Sequence, residues 1–290
     1  MPANGKAKTI LITGGTDGLG KAAAILFAER GYRVFATGRS PEKLAQLDAL
    51  AKERKLPLES LRMDVLDDAS VRQGVAAVLE KAGGIDVLVN NAGVGYVGTV
   101  EDLKVEDFRK QFETNVFAVI RVTQAVLPHM RERRSGRILM MSSVAGLVAP
   151  PLYGAYSGSK FALEGLTGAL RLELYPFGID VVLIEPGYIL TNFAATAAEN
   201  ARPYFEAGRS GPYAKIYETS VKAATRRRTT SRTTPEDCAR VMLRAVEARH
   251  PKVRYGVTPL AALAKVSRRL FTDHMADGWL RRAFGIQRAS

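Results

Sequence analysis

The chain has 290 residues, 47% hydrophobic and 24% charged, enough for one large domain with a substantial α/β core. The formal net charge of +13 is spread along the sequence without a recognised nucleic-acid module, so it reads as a solvated basic surface or as attraction of anionic cofactor and substrate. A single cysteine, Cys238, excludes an internal disulfide and a cysteine-cluster metal site; His129, His250 and His274 are too scattered for a metal centre, and no apolar run approaches the ~18 residues of a membrane span.

Met1-Pro2-Ala3-Asn4-Gly5-Lys6 runs directly into an apolar segment, which leaves no room for a signal peptide and predicts a cytoplasmic protein. Lys8 to Ile12 read as a strand, followed by Thr13-Gly14-Gly15-Thr16-Asp17-Gly18-Leu19-Gly20 and a helix from Lys21 to Arg30 that ends at Gly31. Such a strand, glycine-rich turn and helix let backbone N–H groups approach a pyrophosphate at the positive end of the helix dipole. Three residues separate Gly14 from Gly18 and one separates Gly18 from Gly20, a spacing unlike GxGxxG. The second strand, Tyr32 to Thr37, ends in Gly38-Arg39-Ser40. In dinucleotide folds an acid near this point holds the ribose hydroxyls and an arginine accommodates a 2′-phosphate, so Arg39 favours NADP over NAD. The alternative reading of Arg39 is a solvated charge at a strand end.

Further apolar strands are expected near residues 59–63, 85–90, 136–142 and 179–185, separated by amphipathic helical stretches. This alternation predicts a single-domain α/β fold, a Rossmann-type doubly wound parallel sheet with helices on both faces. Each motif follows a strand, where the carboxyl ends of such a sheet form the ligand crevice.

After the strand expected near 136–142, Tyr156-Ser157-Gly158-Ser159-Lys160 places a phenol and an ammonium at i and i+4, one helical turn apart on one face if helical. A free phenol, pKa near ~10, is a poor base at neutral pH, and a nearby ammonium favours the phenolate. Tyr156 is therefore the candidate general acid and base for an alcohol losing hydride or a carbonyl gaining it. Ser143, thirteen residues upstream, would hydrogen-bond the same oxygen and stabilise its developing charge.

These motifs together resemble the classical short-chain dehydrogenase/reductase family from about Lys8 to about Phe193, nearest its members that act on steroids, retinoids and other lipophilic alcohols. The resemblance adds Asp64-Val65, Asn90-Asn91-Ala92-Gly93, Asn115, Ser142-Ser143 and Pro186-Gly187-Tyr188-Ile189-Leu190-Thr191. It implies a catalytic set of Asn115, Ser143, Tyr156 and Lys160, with Ser143 rather than Ser142 as the serine. Asn115 would anchor a water in a proton relay through Lys160. The implied cofactor site comprises Gly14, Thr16, Asp17, Gly18, Leu19, Gly20, Arg39, Asp64, Val65, Asn91, Ala92, Gly93, Pro186, Gly187, Ile189 and Thr191, together with Tyr156 and Lys160. Asp64 and Val65 would meet the adenine, Ile189 and Thr191 the nicotinamide carboxamide, and Lys160 the nicotinamide ribose. Many NADP-using members carry a second basic residue inside the glycine turn, where this chain has Asp17.

By position, Val148, Tyr153, Tyr188 and Phe193 join Ser143 and Tyr156 as substrate-pocket candidates, apolar or aromatic groups suited to a hydrophobic alcohol or ketone, unless they pack the core. The sequence thus divides into a cofactor and catalytic core (7–192), a substrate loop with helices (193–234) that includes Arg226-Arg227-Arg228, and C-terminal helices with a basic tail (235–290). Pro235-Glu236-Asp237 opens a helix from Asp237 to Ala248. From Pro259 to Phe284, Leu260, Leu263, Val266, Leu270, Phe271, Trp279, Leu280 and Phe284 alternate with Lys265, Arg268, Arg269, Arg281 and Arg282. That stretch fits a cap over an apolar pocket, a partner-subunit contact or peripheral contact with an anionic membrane. Family members associate as homodimers or homotetramers through the helices after Asn115 and Tyr156, where Ala162, Gly165, Gly168 and Ala169 either permit close helix approach or pack on the sheet. The alternative to an enzyme is a catalytically silent NADP-binding sensor or scaffold of the same fold; retention of Tyr156 and Lys160 favours the enzyme.

Overall fold

The computed structural model describes residues 7–230 and 232–286, without the side chains of 226–230 and 267–269. Residues 1–6 and the side chains of Arg226, Arg227, Arg228, Arg268 and Arg269 lie outside the described residues. The chain runs β1 (Thr9–Ile12), α1 (Gly18–Glu29), β2 (Arg33–Gly38), α2 (Pro41–Glu53), β3 (Leu58–Arg62), α3 (Asp68–Ala82), β4 (Val87–Asn90), α4 (Val105–Phe112), α5 (Ala118–Glu132) and β5 (Gly136–Met141). It continues through α6 (Gly154–Leu174), β6 (Ile179–Glu185), α7 (Asn192–Gly208), α8 (Ala214–Thr230), α9 (Pro235–Glu247), β7 (Arg254–Gly256), α10 (Pro259–Leu270) and α11 (Asp273–Ala283).

Alternation along each strand builds the layers, because successive side chains leave a strand on opposite faces. Ile10 and Ile12 join Val34, Ala36, Val89 and Val182 beneath α1 and α9, whereas Leu11 joins Phe35, Leu88, Ile138 and Leu183 beneath α3, α5 and α6. Both faces are covered, so the central strands read as continuous apolar runs. Among the described residues the strands form one parallel sheet of order β3-β2-β1-β4-β5-β6-β7. The order reverses between β1 and β4, and this switch point opens the crevice that the sequence motifs flank.

The C-terminal part contributes more to the body than the sequence division implies. α9 starts at Pro235, two residues before the expected helix, because Thr234 and Asp237 form a reciprocal capping box. It packs on α1, with Cys238, Ala239 and Met242 fully buried. β7, three residues long, extends the sheet beyond β6 through Leu183, Ile184 and Glu185. Its Arg-Tyr-Gly sequence carries no apolar periodicity, which is why it escapes a pattern-based reading.

Candidate active site

The glycine turn is shaped by backbone constraint. Gly14 and Gly18 adopt φ of +61° and +51°, in the left-handed region that favours glycine. A Cβ at Gly20 would stand 2.3 Å from the Gly14 carbonyl oxygen and 2.4 Å from Asn91 Nδ2, so the first turn of α1 must be bare there. Asn91 Nδ2 donates to the carbonyls of Thr13 (2.9 Å) and Gly14 (3.0 Å), and the backbone N–H groups of Asn91 and Ala92 donate to Thr13 Oγ1. The loops after β1 and β4 are thereby laced together. Thr191, at the start of α7, faces the turn, since a Cβ on Gly18 would meet its side chain at 3.5 Å. An uncluttered helix N-terminus between these walls fits the phosphates of a dinucleotide.

Asp17 caps α1 by accepting from Gly18 N at 2.7 Å, and it also accepts from Asn192 and pairs with Lys43 on α2. Burial pushes its carboxyl up, but the bonds from Lys43, Asn192 and Gly18 outweigh this and hold it below the usual range. Lys43 is a site residue that the sequence reading missed. It brings a basic group, paired with Asp17, to the glycine turn, and its position four residues after Arg39 was the available signal. Thr16 packs against Gly38, where a Cβ would come within 2.6 Å of its hydroxyl. Arg39 is exposed and lies 3.9 Å from Asp64, a loose surface pair. Val65 is buried and accepts from Arg121 Nη1 through its carbonyl. Leu19, in the first turn of α1, packs on the core, and Gly93 lies next to Asn115 Oδ1. On the far wall the Pro186 carbonyl accepts from Val144 N at 2.9 Å, Gly187 closely abuts Thr258, and Ile189 is buried in the core.

Across the crevice, Ser143 ends the loop after β5 and Tyr156 lies in the first turn of α6. Ser143 lies close enough to the Tyr156 hydroxyl to pull its pKa down, and the serine Oγ accepts from Ala145 N at 3.1 Å. Lys160, one turn further along, sits 5.7 Å from the centroid of the Tyr156 ring and donates from Nζ to the Met141 carbonyl at 2.6 Å. Burial pushes the Tyr156 phenol up to about 12, opposed only by the Ser143 bond, and pushes the Lys160 ammonium down to about 8, opposed by the Glu164 carboxylate. This differs from the expectation that Lys160 lowers the Tyr156 pKa. The physical reason is that Lys160 is spent on a carbonyl while Phe193, 5.8 Å from the ring, shields the phenol. Tyr156 therefore stands protonated at neutral pH.

Asn115 lies in a π-helical turn, Glu113–Phe117, a distortion frequent at functional sites. Its Oδ1 accepts from Val94 N (2.9 Å), and its Nδ2 donates to the Val94 carbonyl (3.1 Å) and to Ser159 Oγ (3.3 Å). Gln111, one turn earlier and also missed from the sequence, makes a parallel clamp to Tyr96 N, the Val94 carbonyl and Ser159. Together they fix the loop beside the catalytic helix.

Behind Lys160 lies an ionic network. Glu164, one turn after Lys160, accepts from Ser142 Oγ and from Arg254 of β7. Arg254 also donates to Glu185 Oε1 at 2.8 Å, and Lys265 of α10 reaches Glu185 Oε2 at 2.5 Å. Ser142 thus has a different task from Ser143: it points back into this network.

Of the substrate candidates, Phe193 meets Tyr156, and together with Ala197 it abuts Gly95. Tyr153 packs on a satellite core of Val97, Leu152, Ala201 and Tyr217 beneath α7 and α8, while Val148 and Tyr188 are half-buried in the loops after Ser143 and Pro186. Three phenol-to-carboxylate hydrogen bonds hold α7 and α8 down: Tyr204 to Asp107, Tyr213 to Glu101 and Tyr217 to Asp102. No cluster of metal-ligating side chains occurs among the described residues.

The crevice, the glycine turn and the paired tyrosine and lysine define a nucleotide-dependent oxidoreductase of doubly wound architecture. The chain belongs to the short chain dehydrogenase family, whose profile matches residues 8–202. It is an NAD(P)-dependent enzyme of the short-chain dehydrogenase/reductase type. A 3-ketodihydrosphingosine reductase of Bacteroides thetaiotaomicron is 35% identical over 279 residues, 96% of this chain and 98% of that protein. An NADPH-dependent 3-dehydrocapnine reductase of Ornithobacterium rhinotracheale is 34% identical over 275 residues, 92% and 94% of the two chains. A short chain dehydrogenase/reductase from Burkholderia phymatum, solved in complex with NAD, superposes with a TM-score of 0.79 at 24% identity, covering 98% of each chain, and shares the fold.

Proposed function

We propose that the protein is an NADP-dependent oxidoreductase that interconverts a secondary alcohol and a ketone on a lipophilic substrate, with Tyr156 as general acid and base. The observation that carries this reading is the Tyr156 hydroxyl, beside Ser143, with Phe193 packed on its ring and Lys160 one helical turn away. Bound NADPH supplies the hydride. In the reductive direction Tyr156 donates its proton to the carbonyl oxygen and Ser143 donates a second hydrogen bond, so the oxygen is held as its charge develops. Lys160, one helical turn from the phenol and held by the Met141 carbonyl, is assigned to the nicotinamide ribose. Asn115 and Gln111 hold the adjoining loop in register.

Support for NADP comes from Arg39, directly after β2, and from Lys43 in α2, which reaches Asp17 of the glycine turn. A relative whose name specifies NADPH agrees with this. Support for a lipophilic ketone comes from Phe193, whose ring packs 5.8 Å from that of Tyr156, and from a relative named for a 3-ketodihydrosphingosine. In this reading residues 7–192 carry cofactor and catalysis, 193–234 shape substrate access, and 235–290 complete the sheet and add the tail. Self-association is assigned to the outward sides of α5 and α6, where Leu166 and Leu172 are exposed and Gly165 and Gly168 meet nothing within 4 Å.

The reading is tested by following NADPH consumption over a ketone panel. A bulky hydrophobic ketone is expected to show a higher kcat/KM than a small sugar or keto acid. The reverse order rejects the lipophilic substrate, and nucleotide binding without turnover on any member of the panel rejects the enzyme reading.

A further inference from the structure

The C-terminal helices turn their largest apolar side chains away from the body. α10 is fastened by its other side: Ala261 and Ala264 are buried, and Lys265 reaches the fully buried Glu185. At 100° per residue, Leu263, Val266 and Leu270 fall on the side opposite Ala264 and Lys265. Beyond α10, Phe271, Met275 and Trp279 recur at i, i+4 and i+8 and form a second stripe leading along α11. These six side chains are each between 46% and 70% exposed. Contiguous outward apolar groups of this size mark an interaction surface.

Charge decides the occupant. Arg281 and Arg282 are exposed in the last turn of α11, two and three residues after Trp279, and the whole chain carries +13. A second copy docking through the same two-fold face would bring these arginines and a like-charged body against themselves. An anionic lipid surface meets them with opposite charge and accepts the apolar stripes, and tryptophan beside arginine suits the boundary between headgroup and acyl chain. No helix among the described residues is long and apolar enough to cross a membrane, so any such contact lies on the bilayer surface.

We propose that the outward faces of α10 and α11 dock the protein on anionic phospholipid bilayers, with Leu263, Val266, Leu270, Phe271, Met275 and Trp279 entering the interface and Arg281 and Arg282 meeting the headgroups. α10 packs on β7 and on the short turn Val144–Gly146 that follows Ser143. The proposed face is thus the outer side of a helix whose inner side packs against the turn after Ser143. The docking stands whether or not the lipophilic-substrate assignment holds.

The chain contains one tryptophan, and it lies on the proposed face, so its emission reports contact directly. Full-length protein is mixed with vesicles of phosphatidylcholine and phosphatidylglycerol, or of phosphatidylcholine alone. The expected result is a blue shift of Trp279 emission and co-sedimentation with the anionic vesicles, at least tenfold weaker with the neutral ones and weakened by added salt. Leu270→Glu with Met275→Glu, which retains the reporter, is expected to abolish both signals while leaving NADPH turnover in free solution and the thermal midpoint unchanged. Absence of binding to anionic vesicles overturns the proposal, as does sedimentation without a shift in Trp279 emission. A dimer in vesicle-free buffer that the double variant converts to monomer also overturns it and gives the face to a second copy.

Discussion

Replacing Arg254 with methionine tests whether the network behind the catalytic helix holds the site together. In the native chain Arg254 lies between Glu164, whose side chain is 6% exposed, and Glu185, which is 0% exposed. Methionine preserves much of the side-chain volume and removes the charge. Lys265 still pairs with Glu185, so the orphaned group is Glu164, left with Ser142 as its remaining donor. Removing one partner of a buried pair costs about 3–5 kcal/mol, and the 37% exposure of Arg254 places the expectation near the lower end, about 3 kcal/mol. With an unfolding entropy near ~2.1 cal/mol/K per residue over 290 residues, this lowers Tm by about 5 °C.

The sign with pH is fixed by the carboxyl. Burial raises the Glu164 pKa in the native protein, and Arg254 acts against that rise. Without Arg254 the folded-state pKa climbs further above the unfolded value. A carboxyl raised in the folded state is least costly below its unfolded pKa and most costly once pH passes its folded pKa. The Tm deficit of Arg254→Met is therefore smallest near pH 5 and grows toward pH 8. Calorimetric melts across that range provide the assay. A Tm within about 1 °C of the native value, or a deficit that does not change with pH, refutes the assignment of Glu164 as a buried, Arg254-compensated charge.

Arg39→Ala is expected to raise the KM for NADPH by about tenfold or more, in line with the loss of about 1.5–3 kcal/mol from a hydrogen bond to a charged group, and to leave the KM for NADH nearly unchanged. Equal effects on both cofactors would reject its role at the 2′-phosphate. Ultraviolet difference titration of the native protein against Tyr156→Phe is expected to show no ionisation of Tyr156 below pH 9, because burial holds the phenol near 12; a phenolate forming near pH 8 would show that Lys160 governs it after all. Tyr217→Phe deletes the hydroxyl that donates to Asp102 and accepts from Thr99 N, and it is expected to cost about 1–2 kcal/mol and to speed proteolysis within α7 and α8. Unchanged proteolysis would mean that this bond does not latch the helices.

Much of the fold was legible because it is written in local patterns. Strands at Thr9–Ile12 and Ile179–Glu185 are apolar runs bounded by turns, and the glycine turn lies where a strand meets a helix. The tyrosine and lysine share a helical face by spacing alone. What escaped depends on distant segments meeting. Lys43 acquires meaning only when α2 brings it to Asp17, and Gln111 only when α4 sets it beside Ser159 and Val94. Arg254 lies 69 residues from Glu185 and 90 from Glu164 in sequence, and β7 is too short to announce itself by periodicity. The Tyr156 acidity failed for a related reason: spacing predicts the neighbour, but burial and the Met141 carbonyl decide what the Lys160 charge does.

The central claim, proton transfer by Tyr156, is tested most directly by comparing Tyr156→Phe with the native enzyme on its best ketone, with NADPH binding measured in parallel by nucleotide fluorescence. The variant is expected to bind NADPH within about threefold of the native protein and to lose turnover by about 10²–10⁴-fold, the usual range for a general acid. Turnover that survives the loss of the hydroxyl within about threefold would contradict it.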